Sequence, residues 1–417
     1  MSRSASSRDL FSAECVADPY PAYAWFREHA PVQCLTQPDG LEIWFVSAYE
    51  HARAALADPR LAHHLGHARG AMARAGIELS EDRIAFNAAH LVHSDPPDHT
   101  RLRGLVNRAF TPVRVERLRP RVQDITDRLL DAIECRTEVD LVEALNHPLP
   151  VMVICELLGV PSEDRGTFRV WSEAAVTPDY AKDAPLTKAE GNARLREYLA
   201  ALVGRRREEL RDVASSDEQP DLLRALVAAC DDEGRLTESE VVAMTYILLI
   251  AGHESTVNFL GNAMLALLRA PELFRQLRDS PELIRHAVDE FLRYDGPVQR
   301  STLRTATQDV KIGDVTVPSG GVVSVGLAAA NRDPGQFPRA DTLDLSRSEN
   351  SHLAFGHGPH YCIGASLARM EGEIVIGGLV RRFSHVSLAV PFQQLRWRQT
   401  FQRGLVALPV TVGRAER

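Results

Sequence analysis

Residues 355–364 are FGHGPHYCIG, and residues 365–376, ASLARMEGEIVI, follow directly. Glycine and proline are too frequent in the first segment for regular secondary structure, whereas the second has the composition of a helix. We therefore expect Cys362 to lie on a tight turn at the N-terminus of a helix. Free backbone N–H groups and the positive end of the helix dipole stabilise a thiolate at such a position.

A cysteine in this position is compatible with several kinds of chemistry. As a thiolate it can ligate iron and donate electron density that favours O–O cleavage, or it can act with a nearby histidine as the nucleophile of a cysteine hydrolase. A zinc site could recruit His357 and His360, but the further ligands that zinc requires are missing locally. A buried cysteine can also be a small hydrophobic residue. The loop alone leaves these interpretations open.

The loop resembles the cysteine-ligand loop of the cytochrome P-450 family at every defined position: Phe355, Gly358, His360, Cys362 and Gly364. The resemblance implies haem b, iron protoporphyrin, as cofactor and Cys362 as the axial ligand of its iron. It implies a mainly α fold with a small β region, in which a long central helix lies over a haem held by the cysteine loop. Phe355 and Gly364 would contact the cofactor, and glycines at positions 356, 358 and 364 would let the backbone approach a flat macrocycle; Gly356 is among the predicted cofactor-binding residues.

A long helix is predicted between Thr237, which with Glu240 forms a capping box, and Pro271. Its length would be about 50 Å. Its apolar stretch is interrupted by AGHEST at 251–256. A glycine inside a helix costs about 1 kcal/mol relative to alanine, and buried polar groups cost free energy unless they are paired. The segment is either a helix kink with back-bonded hydroxyls or a functional groove.

The segment resembles the oxygen-binding motif of the same family. By that resemblance Ala251 and Gly252 border the cofactor, Glu254 is the acid of a proton relay, and Ser255 occupies the alcohol position. The family usually has threonine where this chain has Ser255, so the hydroxyl is kept while its orientation is less constrained. Thr256 is a possible substitute, although its side chain should point about 100° away around the helix.

Haem carries two propionates, so its site needs cationic donors from separate segments. The segment DPPDHTRLR at 95–103 resembles the family's propionate-binding segment, with His99 and Arg103 as the donors. Arg304 and His360 match the remaining anchors of the family.

Glu290 and Arg293 fit the family's Glu-x-x-Arg pair, whose spacing places both side chains on one helix face. The second arginine that the family commonly adds downstream is replaced here by Thr342. Arg339 and Arg347 are the candidates to replace it.

The remaining pattern predicts helices at 122–130 and 191–210, strands at 42–46 and 322–327, and a hairpin at 309–317 around Gly313 and Asp314. A second hairpin is predicted from 395–401 and 405–412, and a polar surface loop at 212–221. We expect one catalytic domain over residues 1–417.

The composition excludes some classes of protein. With 48 Lys and Arg against 56 Asp and Glu, the formal net charge is −8, which argues against nucleic acid as a partner. The six cysteines contain no CxxC pair and suit a reducing compartment. The most apolar run, 241–252, is shorter than the roughly 20 residues that span a membrane, and the N-terminus has no signal-peptide pattern. We expect a soluble, cytoplasmic protein without a membrane anchor.

The resemblance implies a haem-thiolate monooxygenase that activates O2 and hydroxylates or epoxidises an apolar small molecule, for which we expect a secondary metabolite such as a macrolide or other polyketide. Electrons would come from a separate ferredoxin with its reductase, or from a flavodoxin-like donor, docking beside the Cys362 loop. Peroxide-driven oxidation or aromatic coupling are alternatives within the family. The residues expected to line the substrate pocket are Phe86, Leu91, Val92, Ile247, Ile250, Val298 and Phe401.

Overall fold

The computed structural model describes residues 9–176, 186–211, 222–231, 236–398 and 402–414. The polar segment 212–221, expected to be a surface loop, and Phe401 lie outside the described residues. Within the described ranges the chain is mainly helical with a small β region, which confirms the expected fold class. The helices are α1 Ala13–Ala17, α2 Tyr20–His29, α3 Tyr49–Ala57, α4 Arg69–Arg74, α5 Glu81–Ala88, α6 Asp98–Ala109, α7 Pro112–Arg117, α8 Arg119–Glu134, α9 Pro148–Leu158, α10 Arg165–Val176, α11 Lys188–Arg211, α12 Leu222–Asp231, α13 Glu238–Leu268, α14 Pro271–Asp279, α15 Ile284–Asp295, α16 Leu327–Ala330 and α17 Ala365–Arg382.

The strands form three small sheets in the described part of the chain. They are β1 Val32–Thr36, β2 Glu42–Val46, β3 Leu61–Ala62, β4 Glu138–Asp140, β5 Arg304–Ala306, β6 Val310–Ile312, β7 Val315–Val317, β8 Val322–Val325, β9 Phe383–Leu388 and β10 Pro409–Arg414. The orders within the sheets are β1-β2-β8-β5-β3, β4-β10-β9 and β6-β7. The pair β2–β8 is parallel and the other pairs are antiparallel.

The central helix α13 begins where the capping box predicts. The Thr237 hydroxyl accepts a hydrogen bond from the Glu240 backbone N–H at 3.2 Å, and the Glu240 carboxylate accepts one from the Thr237 N–H at 2.7 Å. The helix runs for 31 residues to Leu268, shortly before Pro271 begins α14. It packs against α9, α11, α15 and α17, so it is surrounded by protein over most of its length. A helix in this position is buried on most sides.

Most of the other predicted elements are confirmed. Strand 42–46 is β2, the hairpin around Gly313 and Asp314 is β6–β7 with Ile312 opposite Val315, and the strand predicted at 322–327 ends at Val325. The predicted helices at 122–130 and 191–210 lie within α8 and α11.

The predicted C-terminal hairpin is confirmed only next to its turn, where Trp397 bridges to Leu405 and the N–H groups of Arg398 and Val406 donate to the carbonyls of Gly404 and Arg396. Its second arm continues into β10, which pairs with β9 and β4 within the described residues. The physical reason is that Leu408 and Val410 are buried in the main helical core. Their burial places β10 beside β9, the strand that begins directly after α17. Residues 399–401 of the expected first arm lie outside the described ranges.

The largest apolar core surrounds α13 and is formed mostly by helices. None of the helices in the described ranges combines the length and apolar composition that crossing a bilayer requires.

Candidate active site around Cys362

Cys362 lies on a tight turn before α17, as the sequence predicts. Residues Gly358–His360 form one turn of 3-10 helix, and the Cys362 N–H donates to the carbonyl of Phe355 at 2.9 Å. The helix α17 begins three residues after the cysteine, with Gly364 as its N-cap. This backbone hydrogen bond closes the loop and fixes the position of the Cys362 backbone.

Two glycines give the loop its shape. Gly356 and Gly358 have φ values of +72° and +77°, which side-chain-bearing residues rarely adopt. A Cβ at Gly358 would also lie 3.0 Å from the carbonyl oxygen of Leu56 and 3.1 Å from Cα of Ala57. Glycine at position 358 is thus explained by a direct contact between the loop and the C-terminal end of α3.

Cys362 is an exposed residue, although the protein atoms packed around its thiol raise the pKa of that thiol. The N–H of Gly364 and the charges of Arg103 and Arg369 act in the opposite direction and favour the thiolate. A bound metal cation would add to these favourable contributions, since a coordinating thiol is deprotonated.

Three imidazole rings stack beside the loop. The ring centroid of His360 lies 3.6 Å from that of His63 and 4.0 Å from that of His99. Burial lowers the pKa of His360 to about 3, and it lowers the pKa of His63 and His99 as well. All three rings are therefore neutral near pH 7 and can each donate one ring N–H.

Two arginines complete the cluster. Arg304, on β5, is buried and donates through Nη1 to the carbonyls of Ala55 and Leu56 at 3.1 and 2.9 Å, at the C-terminus of α3. Burial lowers its pKa to about 10, so the guanidinium remains charged. Arg103, on α6, also has its pKa lowered by burial, and the charge of Cys362 opposes that shift. Four predicted anchors, His99, Arg103, Arg304 and His360, are brought together by the fold.

These residues suit a group that carries two carboxylates. Several buried polar nitrogens have no hydrogen-bond partner among the described residues: both ring nitrogens of His63, Nε2 of His99 and Nε of Arg304. The nearby carboxylate of Asp95 already accepts the backbone N–H groups of His63 and His64 at 2.8 and 2.9 Å. An anionic partner from outside the chain would satisfy the cluster, and the two propionates of haem have the required charge and acceptors.

Sequence reasoning missed His63. It follows β3, which pairs with β5 and so lies beside Arg304. No local motif marks it, because His360 and Arg304 come from segments more than 200 residues away in the chain.

The helix α13 is buried except on one face. Ala251 is exposed, and Ile247, Ile250 and Ser255 are partly exposed, at the spacing of one helical stripe. The Ser255 hydroxyl donates to the carbonyl of Ala251 at 3.0 Å. Such back-bonding is the structural alternative considered for this segment, and it leaves the hydroxyl on the open face.

The neighbouring polar residues are buried. Glu254 and Thr256 are buried at 5% and 4% exposure, and the Thr256 hydroxyl makes only a long contact, 3.5 Å, with the Gly252 carbonyl. His253 is buried with Nδ1 at 2.8 Å from the carbonyl of Leu249. Ser255 is therefore the hydroxyl of this segment that faces the opening.

Gly252 has a packing explanation. A Cβ at this position would lie 3.0 Å from Cδ1 of Ile154 on α9. The glycine allows α9 and α13 to approach each other. Its predicted contact with the cofactor stays a prediction.

The Glu290–Arg293 pair is buried and bidentate, with both N···O distances 2.7 Å. Arg347 supplies the third arm, since its Nε donates to Glu290 at 3.1 Å. Arg339 does not reach the pair, and position 342 contributes only the Thr342 carbonyl, which accepts from Arg293 at 3.0 Å.

The expected pocket residues are only partly brought together. Phe86, on α5, packs edge to face on Tyr246 of α13, with ring centroids 5.3 Å apart, which places it near Ile247 and Ile250. Leu91 is buried in the main core. Val92 and Val298 are partly exposed, and Val298 bridges to Gln402. The roles of these residues in binding substrate stay predictions.

The chain is similar to a known protein family over most of its length. A family model described as Cytochrome P450 matches residues 185–396. The chain is 43% identical over 409 residues to the vitamin D(3) 25-hydroxylase of Pseudonocardia autotrophica, covering 97% of this chain and 96% of that protein. It is 35% identical over 413 residues to the polyketide biosynthesis cytochrome P450 PksS of Bacillus subtilis, with 95% and 96% covered.

One solved structure is the myxobacterial cytochrome P450 CYP267B1 in complex with myristic acid. It superimposes on the present chain with a TM-score of 0.88 at 38% identity, and the match covers 98% of this chain and 99% of that one.

Proposed function

The chain belongs to the cytochrome P450 family, and on that premise we propose that it hydroxylates or epoxidises an apolar secondary metabolite such as a macrolide or other polyketide. Family membership makes the protein a haem-thiolate monooxygenase with a cysteine thiolate as axial ligand, and it excludes the cysteine hydrolase that the loop alone left open. When bound, the haem supplies reductive activation of O2, with electrons from a redox partner.

The observation that carries the proposal is the open, largely apolar face of α13. Ile247, Ile250 and Ala251 are wholly or partly accessible in a helix that is otherwise surrounded by protein. The helix α17, which starts three residues after Cys362, packs against α13. We infer that the thiol and the open face border one cavity, whose apolar lining suits an apolar substrate.

The names of the relatives support the reaction and the substrate class. One relative is a hydroxylase and another takes part in polyketide biosynthesis. Both match this chain over nearly its whole length, so the pocket-forming segments are included in the match.

In this proposal His99, Arg103, Arg304 and His360 hold the propionates, and His63 joins them as a neutral donor. Each guanidinium can form charge-assisted hydrogen bonds to a carboxylate. The contacts of Arg304 with the end of α3 fix its position before any ligand binds.

Ser255 and Glu254 handle protons. Once released from the Ala251 carbonyl, the Ser255 hydroxyl can donate a hydrogen bond into the cavity. Glu254, the residue directly before Ser255, can then resupply the proton. Thr256 is buried on the other side, so it serves this purpose less well than Ser255.

For the redox partner we infer a ferredoxin with its reductase, or a flavodoxin-like protein, that docks beside the Cys362 loop in the cytoplasm. Tyr361, next to the cysteine, is 37% exposed and the neighbouring Arg369 is partly exposed. A short path from this surface to the thiolate supports that docking site. We also propose that residues 1–417 form a single catalytic domain.

The test is a Soret titration of the purified ferric protein with macrolides, linear polyketides, steroids and small aromatics. We expect a low-spin to high-spin shift with a macrolide or polyketide, and a product with one added oxygen atom when ferredoxin, its reductase and NADPH are supplied. Turnover with peroxide alone would instead favour the peroxide-driven alternative. A protein that binds no haem, or that turns over no polyketide, would overturn the proposal.

A further inference from the structure

Arg196, on α11, lies over the pocket residue Phe86. The central carbon of its guanidinium is 3.6 Å from the centroid of the Phe86 ring and 5.7 Å from that of Tyr246. Phe86 belongs to α5 and Tyr246 to α13, so three elements meet at this point. Tyr246 also donates a hydrogen bond to the side chain of Asn192, one turn before Arg196.

The cation has no carboxylate partner in the described ranges. Arg196 takes part in no ion pair there, and its Nε is buried without a hydrogen-bond partner. Burial lowers the pKa of Arg196; Tyr246 acts in the opposite direction, and the charge of Arg83, which has the same sign, lowers the pKa further. Burial lowers the pKa of the neighbouring His90 to about 3, so this imidazole is neutral.

The geometry leaves the donors of Arg196 available. Phe86 covers one face of the planar guanidinium, so its N–H groups point outward in the plane. Two parallel N–H groups in a fork match the two oxygens of a carboxylate. Stacking on an aromatic ring holds the fork in place and reduces the ordering required on binding.

The position of Arg196 relates it to the substrate. Tyr246 precedes Ile250 by four residues, so the two lie on the same face of α13, about 6 Å apart along the helix axis. A molecule that reaches from Arg196 along this face past Ile250 would therefore be elongated and apolar, with its polar group at the Arg196 end.

We propose that Arg196 is a specificity-determining residue, which selects substrates whose apolar body lies along α13 and which carry a carboxylate at the Arg196 end. This inference rests on the proposed function, whose pocket it uses, and narrows the substrate to acidic molecules. Molecules with a cationic amine at the same end are disfavoured by Arg196 and Arg83 together.

The test compares dodecanoic acid with methyl dodecanoate, which share the apolar body and differ in charge. Binding to the holoenzyme is measured by calorimetry and by the Soret shift. A hydrogen-bonded charge contact contributes about tenfold to a hundredfold in affinity. We expect the acid to bind more tightly than the ester by about that factor, and Arg196→Met to remove the preference by weakening acid binding alone.

Two further variants serve as controls. Arg196→Lys keeps the charge without the fork and should retain part of the preference for the acid over the ester. This variant tests the inference if the methionine variant fails to fold. Arg194→Met removes an exposed charge from the same helix and should leave both affinities unchanged.

The inference is overturned if the wild-type protein binds the ester as tightly as the acid, if it binds no acid measurably, or if Arg196→Met binds the acid as tightly as wild type. Oxidation of polyketides in the ferredoxin system would then still support the proposed function. A protein without a haem spectrum would overturn the proposed function, while calorimetry would still report the preference for the acid.

Discussion

Ser255 presents a hydroxyl on the open face of α13, while Thr256 is buried behind it. The two residues are adjacent in sequence, yet their directions differ because successive residues of a helix are rotated by about 100°. Substituting each residue in turn therefore tests whether the hydroxyl must face the cavity or whether any alcohol in the motif is sufficient.

Replacing Ser255 by alanine should uncouple electron consumption from product formation. Removal of a positioned proton donor typically costs about 10²-fold or more in rate, so product per NADPH consumed should fall strongly in Ser255→Ala. Thr256→Ala should change that ratio by less than about twofold. A larger loss in the Thr256 variant would assign the proton-donating role to Thr256.

The third arm of the Glu290 cluster gives a second prediction about single residues. Arg347 has 8% of its side chain exposed and donates to Glu290, whereas the side chain of Arg339 is 71% exposed. Breaking a buried ion pair costs about 3–5 kcal/mol, and the remaining contacts of Glu290 with Arg293 reduce that loss. Arg347→Met should lower the free energy of unfolding by about 2 kcal/mol.

The matched control is Arg339→Met, which removes an exposed ion pair and should change stability by less than about 1 kcal/mol. Both values come from urea unfolding monitored by circular dichroism. Equal effects of the two substitutions would show that the cluster does not depend on Arg347.

At the scale of the elements, the approach of α9 to α13 depends on Gly252 and Ile154. Gly252→Ala gains up to about 1 kcal/mol of helix propensity, but the new Cβ meets Cδ1 of Ile154. Ile154→Val removes that atom. The double variant should therefore be more stable than the sum of the two single effects by about 1 kcal/mol.

A double-mutant cycle in urea measures this coupling. Gly204→Ala on α11 is the control, because no atom outside its own helix lies within 4 Å of the added Cβ, and it should stabilise the protein by roughly 0.5–1 kcal/mol. Strict additivity of Gly252→Ala and Ile154→Val would contradict the packing explanation of Gly252.

For the whole molecule, the pH dependence of stability has an unusual contributor in Glu371. This residue of α17 is buried, its Oε2 has no hydrogen-bond partner in the described part of the chain, and burial raises its pKa to about 8. The folded state keeps the carboxyl protonated up to that pH, while the unfolded chain ionises it near 4.5. The folded state binds more protons in this window, so stability falls as the pH rises through it.

The buried histidines act with the opposite sign. The pKa values of His360 and His90 are lowered to about 3, so stability rises with pH up to about 6.5, where the unfolded chain loses the same protons. Between pH 6.5 and 8 the contribution of Glu371 remains. The free energy of unfolding should fall across that interval by on the order of 1–2 kcal/mol.

Glu371→Gln should abolish this fall, because glutamine stays neutral, and should be more stable than wild type at pH 8. Glu373→Gln, on the same helix and paired with Arg119, should leave the slope as in wild type. The measurement is urea unfolding at half-unit steps of pH. A fall of the same size in Glu371→Gln would assign it to other groups.

The sequence was informative wherever chemistry is confined to a short motif. Cys362 with its turn, the capping box of α13 and the anchors His99, Arg103 and His360 could all be recognised locally, and the structure brings these anchors together. Contacts between distant segments were not recognisable. His63 reaches His360 only through the pairing of β3 with β5, and Arg196 meets Phe86 only after α5 and α11 have packed.

The C-terminal strand illustrates the same limit. The alternation of apolar residues along this strand could be recognised in the sequence. Its pairing with β4 and β9 follows from burial against the helical core, and not from proximity along the chain. Likewise, which of Arg339 and Arg347 completes the Glu290 cluster depended on the path of an irregular segment, where periodicity gives no information.

At the C-terminal end of α3, the carbonyls of Ala55 and Leu56 accept hydrogen bonds from Arg304. The backbone of the same helix end also contacts Gly358. This has a practical consequence for protein engineering. A hybrid protein with α5 and α11 taken from a relative would have a different substrate pocket. It would keep the contacts at the end of α3. A hybrid junction inside α3 would displace the thiol and an anchoring guanidinium at once, so crossover points belong outside residues 49–58.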